Sequence, residues 1–244
     1  IAWLKKERAV HIEQGTTDSW AQEMLNTPLD EQNATFKRSD FREMDPDDHK
    51  RNFNYYISSD LALSLEQSRD YTTFLVAGVD TESRLYVHHV IRERMSPDII
   101  IDTIFALNET YKPETFFFEK GQAFLAVEVP MKNRMLADEV FFMYEAFPSI
   151  TEKTTRATAI RARLRVGAVK FDKQTDWFPD FEEECIKFPR GVHDDQVDAL
   201  SLMGRGLNKF LSAASDEEIE KEQEETEMEE GGLFNQGRST TTGY

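Results

Sequence analysis

The stretch GVHDDQVDALS, residues 191–201, places three aspartates, Asp194, Asp195 and Asp198, at the beginning of a predicted helix. Like charges three or four residues apart on a helix repel each other by about 0.2–0.5 kcal/mol per pair. The chain is already acidic, with a formal net charge of −17 at pH 7. Additional carboxylates at one short stretch therefore indicate that their charge is used, and binding a cation is one such use.

Outward from this stretch, the pattern predicts three strands, a helix, a strand, a helix, a strand and further helices. The three strands are predicted in YYISSDLAL, TTFLVAGVD and RLYVHHVIRER, which are rich in β-branched and aromatic residues. A helix in SPDIIIDTIFALNETY has Ser96 as its N-cap and Pro97 at its first position. The later strands are predicted in ETFFFEK and YEAFPSI, and the later helices in the region 121–145 with an interruption at Pro130, in RATAIRARLRVGA up to Gly167, in WFPDFEEECIKFP and in DDQVDALSLMGRGLNKFL.

This order predicts an α/β fold with a mixed central sheet of about five strands, the first three antiparallel, flanked by helices. We expect three regions along the 244 residues. Residues 1–52 are a polar connector without a core of its own, residues 53–212 form one domain, and residues 213–244 form a low-complexity acidic tail. Within residues 215–230 there are ten acids and one lysine, so we expect this tail to be disordered.

Charge and composition exclude several classes of protein. No apolar run approaches the roughly 20 residues needed to cross a bilayer, and the N-terminus has no signal-peptide pattern. The single Cys185 excludes an internal disulfide and fits a reducing compartment. Because the sequence begins with Ile1 rather than Met, we expect it to be a fragment of a longer protein. The acidic charge alone would argue against nucleic acid, but residues 153–165 are strongly basic with no acid.

Acidic residues also stand next to apolar runs at two other places. Asp60 interrupts the first predicted strand, and Glu119 ends the central one. A buried carboxylate is costly unless it is paired or binds a metal. Oxygen-rich sites suit Mg²⁺ or Mn²⁺, and the sequence has no Cys/His cluster of the kind that binds zinc. His88 and His89 lie on opposite faces of a strand and cannot share an ion.

Simpler explanations exist for each acid taken alone. An acid at the end of a strand is commonly a solvated turn residue. Aspartates in a first helical turn are favoured by capping and by the helix dipole, at roughly 0.3–1 kcal/mol each. His193 is most simply a packing or hydrogen-bonding residue. The coincidence of three acidic places in one strand and helix order is what favours a metal site.

The segments ISSDLA, FFFEKGQAF, KTTRATAIRARLRVGAVKF and FPRGVHDDQVDALSL together resemble the RNase H-like nuclease and integrase superfamily. They are most similar to the nuclease domain of the large terminase subunit, the DNA-packaging motor of tailed phages. Upstream, WAQEMLNTPLDEQNATF resembles the segment that follows the ATPase domain in that family. No phosphate-binding loop of the form GxxxxGK[ST] occurs here. The resemblance therefore implies that residues 1–52 are a linker and the end of an ATPase region, with the motor itself N-terminal to Ile1.

The resemblance implies a metal-dependent endonuclease that cuts concatemeric double-stranded viral DNA. Two divalent cations, Mg²⁺ or Mn²⁺, would lie about 3.5–4 Å apart at the scissile phosphate. Asp60, Glu119 and Asp195 would be the catalytic metal ligands, with Asp60 bridging the ions. Asp194 and Asp198 would be further ligands or their neighbours. On a helix Asp195 points about 100° away from Asp194, so we expect Asp194 to cap the helix and Asp195 to bind metal directly.

The resemblance also suggests partners. Lys153, Arg156, Arg161, Arg163 and Arg165 are candidates for contact with DNA phosphates, although a solvated amphipathic helix explains them equally well. The portal protein and the small terminase subunit would be protein partners, and a ring would form only in the full-length motor. We expect no membrane association and a location in the host cytoplasm during virion assembly.

Three alternatives remain open from the sequence. A Holliday-junction resolvase is the nearest, because DxxDAL also resembles the end of those enzymes, but the terminase-like upstream segment argues against it. A transposase or integrase is a more distant alternative. An inactive RNase H-like docking module would keep the fold without the metal, and the intact set of Asp60, Glu119 and Asp195 speaks against it.

Overall fold

A mixed sheet of seven strands organises the described part of the protein, in the order β1-β7-β4-β3-β2-β5-β6. The computed structural model describes residues 34–63, 71–150 and 152–211, without the side chains of Lys153 and Leu211. The strands β2, β3 and β4 pair antiparallel, and the other neighbours pair in parallel. The strands are β1 (Arg42–Glu43), β2 (Asn54–Asp60), β3 (Thr72–Val79), β4 (Leu85–Glu93), β5 (Thr115–Lys120), β6 (Tyr144–Pro148) and β7 (Val169–Phe171).

The predicted mixed α/β sheet with three antiparallel strands at its start is confirmed, but the count of about five strands is too low. The two additional strands, β1 and β7, contain only two and three residues. A segment this short cannot show the alternation of apolar and polar residues by which a strand is recognised. β7 forms along the edge of β4, where Leu85 pairs with Val169, and β1 pairs in turn with β7.

Six α-helices connect or cover the strands in the described residues. Ser96 is the N-cap of α1 and Pro97 its first residue, as predicted. Pro130 lies inside α2 rather than interrupting it. The helix predicted to end at Gly167 is divided into α3 and α4. Gly167 has a φ of 74° and lies shortly after the end of α4. The helices are α1 (Pro97–Tyr111), α2 (Gln122–Ala137), α3 (Lys153–Arg156), α4 (Thr158–Arg165), α5 (Phe178–Lys187) and α6 (Asp195–Leu211).

The two faces of the sheet are covered by different helices. On one face, apolar side chains of β2, β3 and β5 form a fully buried core with α1 and α2, which includes Ile57, Phe74, Phe116, Phe118, Ile100, Ile104, Val127 and Met131. On the other face, the hydroxyl of Ser58 donates a hydrogen bond to the backbone carbonyl of Ala199 in α6, at 2.7 Å. Alternate residues of a strand share a face, so α6 lies on the same face as Asp60.

A cluster of phenylalanines closes the β1 and β7 side of the sheet. Phe171 of β7 packs against Phe178 and Phe181 of α5, with ring centroids 5.9 and 5.7 Å apart. Phe41, next to β1, joins the cluster at 5.2 Å from Phe171. Packing of this domain therefore extends N-terminal of residue 53, into the region that the sequence assigns to a connector. Within the described ranges, no helix has the length and apolar character to span a membrane.

The chain divides into two units, Ile1–Arg205 and Gly206–Tyr244. The sheet, α1 to α5 and the first part of α6 belong to the first unit. Of the second unit, the structure describes only the end of α6, residues 206–211. The predicted acidic tail, residues 213–244, lies outside the described residues, as do residues 1–33 of the predicted connector.

Candidate active site

Four side chains form a row across one end of the sheet. Asp60, the last residue of β2, pairs with Thr73 of β3, which pairs in turn with Arg92 of β4. On the other side, the parallel register of β2 and β5 brings Glu119 next to Asp60. Side chains of directly paired residues point to the same face of a sheet. Asp60, Glu119 and Arg92 therefore share the face on which α6 lies.

The first turn of α6 brings two more carboxylates to this face. Asp195 is 6% exposed and Asp198 is half-buried. Both interact electrostatically with Asp60, as does Glu119. The register of α6 over the sheet is set by the hydrogen bond from Ser58 to Ala199, one turn beyond Asp195. The structure thus unites the three acidic places that the sequence predicts to belong together.

Asp60 lies in surroundings that disfavour its ionised form. Burial raises the pKa of Asp60 well above its ordinary value, and repulsion from Asp198, Asp195 and Glu119 raises it further. Arg156 acts in the opposite direction but does not compensate. Among the described residues, no lysine, arginine or histidine forms an ion pair with Asp60. The neutral form of this carboxyl, or a bound cation, would relieve the repulsion.

Two arginines hold the carboxylates of α6. Nη1 of Arg156 lies 2.7 Å from Oδ2 of Asp198, and Nη2 of Arg156 lies 3.8 Å from Oδ2 of Asp194. Nη2 of Arg92 lies 3.2 Å from Oδ2 of Asp195. Each of these aspartates therefore offers one oxygen to a guanidinium.

A third arginine lies beside Glu119. Arg205 of α6 donates a hydrogen bond to the carbonyl of Pro148 at 2.8 Å, which holds it at the end of β6. Burial lowers the pKa of Arg205, and the nearby Glu119 partly offsets this effect. The acidic cluster is thus bordered by cations contributed by β4, α3 and α6.

The donors at this site suit a hard divalent cation. They are carboxylate oxygens that repel one another, which is the set that Mg²⁺ or Mn²⁺ binds. In the part of the chain that the structure describes, no three Asp, Glu, His or Cys side chains converge closely enough to hold one ion as they stand. Donor chemistry therefore fits a metal, and binding requires the carboxylates to come closer together.

Glu184 of α5 contributes to the capping of the first turn of α6. Asp194 does occupy the N-cap position, because its carbonyl accepts a hydrogen bond from the N–H of Asp198 at 2.8 Å. The N–H groups of Gln196 and Val197, which an N-cap side chain would bind, instead donate to Oε1 of Glu184 at 2.7 and 3.4 Å. Asp194 thus occupies the predicted N-cap position, and Glu184 of α5 accepts hydrogen bonds from these N–H groups. The predicted metal roles of the α6 aspartates stay predictions.

Two residues at this site escape the sequence analysis. Glu184 belongs to an acidic run, but it follows Phe178 and Phe181 at helical spacing and so lies on the buried side of α5. Arg92 follows Ile91, which packs against the core on the α1 and α2 face, so Arg92 lies on the opposite face, toward α6. The helical period would have identified Glu184 as a buried acid. No local signal pairs it with Arg92.

The predicted basic strip does not form one continuous surface. Arg156 is only 13% exposed in its side chain and binds the acids of α6. Arg163 donates a hydrogen bond to the carbonyl of Ser83, in the turn at the opposite end of β3 and β4, at 3.2 Å. Arg161 is half-buried, and Arg165 is exposed. The backbone of Lys153 begins α3.

Comparison with solved structures found several nuclease domains with similar folds. A mutant nuclease domain of the large terminase subunit gp2 of bacterial virus Sf6, solved with manganese and beta-thujaplicinol, matches with a TM-score of 0.50 and 9% identity, over 70% of this chain and 97% of that one. The large terminase nuclease of thermophilic phage G20c, solved with bound magnesium, matches with a TM-score of 0.47 and 17% identity, over 67% and 84%. The yeast mitochondrial Holliday junction resolvase matches with a TM-score of 0.39 and 10% identity, over 77% and 82%.

At such identities the structural matches concern the fold, and the Sf6 domain supports the predicted RNase H-like class. No curated protein is significantly similar to this chain in sequence. A family model of the terminase RNaseH-like domain matches residues 57–203. That range contains Asp60, Glu119 and the aspartates that begin α6, and it covers more than half of the chain. The resemblance expected from the sequence is confirmed: the chain belongs to the terminase RNaseH-like domain family.

Proposed function

We propose that this chain is a metal-dependent endonuclease that hydrolyses phosphodiester bonds of double-stranded DNA. The observation that carries the proposal is the position of Asp60. Its carboxylate lies among those of Glu119, Asp195 and Asp198, which raise its pKa together with burial. Repulsion among carboxylates contributes no stability to the folded protein, whereas a site for divalent cations needs several carboxylates close together. Family membership supports the same activity.

We assign the metal-binding role to Asp60, Glu119 and Asp195, with Asp198 and Asp194 as further ligands or their neighbours. Asp60 ends an inner strand of the sheet and interacts electrostatically with all three other acids, so we assign it the central ligand role for divalent cations. When bound, divalent cations at such a site supply Lewis-acid activation of water and stabilisation of the leaving oxygen. The carboxylates fix the cations, and the rigid ends of β2 and β5 keep two of those carboxylates in place.

Arginines at the border of the site are suited to the negative substrate. Arg156 and Arg205 lie next to the acids, and guanidinium groups bind phosphate oxygens in two-pronged geometry. We retain Lys153, Arg161 and Arg165 as candidates for phosphate contact on the α3 and α4 side. Binding through phosphates depends weakly on base sequence and strongly on salt. Because Arg163 donates a hydrogen bond to the carbonyl of Ser83, we favour it less as a contact for DNA phosphates.

We propose the cellular role by family membership. The domain would cut concatemeric viral DNA as part of a packaging terminase in the host cytoplasm. The portal protein and the small terminase subunit would then be its protein partners, and ATP hydrolysis would be supplied by another part of the large subunit. A ring would form only in that larger assembly.

Cleavage of supercoiled plasmid tests the proposed activity. We expect nicked and linear products with Mn²⁺ or Mg²⁺, none in EDTA, and none from Asp60→Asn with either ion. Asp176→Asn is the matched control, because Asp176 is an exposed aspartate in the turn before α5, and it should cut like the wild type. Activity of Asp60→Asn, or cleavage in EDTA, would contradict the proposal. Preference for a four-way junction over linear duplex would favour a resolvase instead.

A further inference from the structure

Glu184 is a buried acid with two separate tasks. It is 9% exposed and lies among the apolar residues Phe181 and Cys185 of α5. Its Oε1 accepts the N–H of Gln196 at 2.7 Å, and its Oε2 accepts the side-chain amide of the same residue at 2.8 Å. A carboxylate at the beginning of a helix satisfies N–H groups that have no partner within the helix and interacts favourably with the helix dipole. Glu184 thereby fixes where α6 begins.

Arg92 connects this cap to the acidic site. Its Nε lies 3.5 Å from Oε2 of Glu184, and its Nη2 lies 3.2 Å from Oδ2 of Asp195. The guanidinium carbon of Arg92 lies over the ring of Tyr71, 3.9 Å from the centroid. A planar guanidinium can serve two carboxylates at fixed angles while one face rests on an aromatic ring. The side chain of Arg92 is 23% exposed, so these contacts are partly shielded from solvent.

We propose that Glu184 and Arg92 are positioning residues for the metal ligand Asp195. The inference rests on the proposed function and deepens it. Glu184 fixes the beginning of α6 by capping and fixes Arg92 by ion pairing. Arg92 in turn contacts Oδ2 of Asp195, which also lies 3.9 Å from Nδ1 of His193, and so restrains the orientation of the carboxylate. Residues that hydrogen-bond a metal-ligating carboxylate typically change metal affinity by about 10–100-fold when they are removed.

A purely structural role predicts a different result. If Arg92 and Glu184 only stabilise the fold, their removal lowers the melting temperature and leaves the affinity of the folded protein for metal unchanged. Arg92→Lys separates the two roles. Lysine keeps the positive charge, but a single ammonium cannot reach both carboxylates with the geometry of the guanidinium. The variant should therefore fold and still bind metal less tightly.

The experiment is calorimetric titration of Mn²⁺ into the full 244-residue chain without DNA, together with thermal melting in EDTA. The variants are Arg92→Lys, Arg92→Gln and Glu184→Gln. Glu183→Gln is the matched control, since Glu183 is the neighbouring acid on α5, has a 59% exposed side chain and pairs with Lys187. We expect Mn²⁺ affinity to fall by about 10–100-fold in Arg92→Gln and Glu184→Gln. Arg92→Lys should lose a smaller part of the affinity, and the control should bind like the wild type.

Two outcomes would overturn different statements. If the wild type binds no Mn²⁺ at millimolar concentration, the proposed metal-dependent function fails, and this inference fails with it. If the wild type binds Mn²⁺ and the folded Arg92→Lys and Glu184→Gln variants bind it within twofold of the wild type, the positioning role is wrong while the proposed function stands. If Arg92→Gln or Glu184→Gln does not melt cooperatively, the Mn²⁺ affinity of the folded Arg92→Lys variant decides the question, and binding within twofold of the wild type overturns the positioning role.

Discussion

Nη1 of Arg156 lies 2.7 Å from Oδ2 of Asp198, 42 residues away along the chain. The two side chains are only 13% and 11% exposed. Removing two charges from water costs several kcal/mol per ion, and the attraction between them recovers this only with good geometry. The pair is therefore a weak source of net stability, yet it becomes a large liability when one partner is lost.

Replacing Arg156 with glutamine should destabilise the protein by about 3 kcal/mol, because Asp198 is then a buried charge beside other carboxylates. Asp198→Asn in the same chain should recover part of that loss. Urea unfolding in EDTA of the two single variants and the double variant gives the coupling energy between the residues. Strictly additive effects would show that the two side chains do not interact in solution.

Asp60→Asn should stabilise the metal-free protein while it abolishes cleavage. Burial and three neighbouring carboxylates raise the pKa of Asp60, so the ionised form is unfavourable in the folded state at neutral pH. A neutral side chain of the same shape removes that repulsion. We expect a rise of a few degrees in the melting temperature in EDTA, since 1 kcal/mol corresponds to about 2–4 °C in a domain of this size. A lower melting temperature than that of the wild type would contradict this reading of the site.

Asp80, at the other end of the sheet, should be a strongly stabilising acid. Its carboxylate accepts the backbone N–H groups of Glu82 and Arg84 at 2.9 Å, Nε of Arg84 at 2.9 Å and the hydroxyl of Tyr86 at 3.1 Å. Burial acts to raise the pKa of Asp80, but the hydrogen bonds outweigh it and the pKa is lowered. Asp80→Asn should cost about 2–3 kcal/mol at pH 7, because charge-assisted hydrogen bonds are lost.

The stability that Asp80 contributes should be lost at low pH. A carboxylate with a lowered pKa in the folded state contributes stability above its unfolded value of 3.8, and this contribution disappears as the pH falls through the folded pKa. The difference in the free energy of unfolding between the wild type and Asp80→Asn should therefore become smaller below pH 3.8. Glu82→Gln is the control in the same turn, with a 65% exposed side chain, and should change stability by less than about 0.5 kcal/mol.

His88 should make the protein less stable in mild acid. Its ring packs 4.9 Å from that of Phe53 and 5.5 Å from that of Tyr55, and burial, with a smaller contribution from His49, lowers the pKa of His88 from 6.5 to about 4. As the pH falls from 6.5 towards 4, the unfolded chain takes up a proton that the folded one does not. Stability is lost through this window, by roughly 3 kcal/mol in total.

The measurement is urea unfolding of the wild type and His88→Gln at several pH values between 7 and 4. The comparison removes the contributions of the other titrating groups, which both proteins share. The loss of stability across the window should be smaller in the variant. Equal losses in the two proteins would mean that His88 titrates in the folded state as it does in the unfolded chain.

Local patterns in the sequence were sufficient to predict the strands and helices that carry the acids. Asp60 and Glu119 follow apolar runs with the composition of strands, and the aspartates of α6 precede an apolar helical repeat. The alternation of side chains along β2 also predicts that Asp60 and Ser58 lie on the same face of the sheet. Order along the chain and resemblance to a family then bring these elements together, and the family match covers all of them.

Tertiary packing decided the surroundings of those acids. Arg156 and Asp198 are 42 residues apart, and Arg92 and Asp195 are 103 residues apart. Arg163 belongs to the same basic strip as Arg156 but binds Ser83 at the far end of the sheet. Periodicity is a property of residues within one or two turns of each other. It therefore predicts which face of a helix or strand a residue occupies, but not which residue of another element it contacts. The packing of α3, α5 and α6 against the sheet sets these pairs. Each arginine binds an acceptor that this packing brings within reach of its side chain.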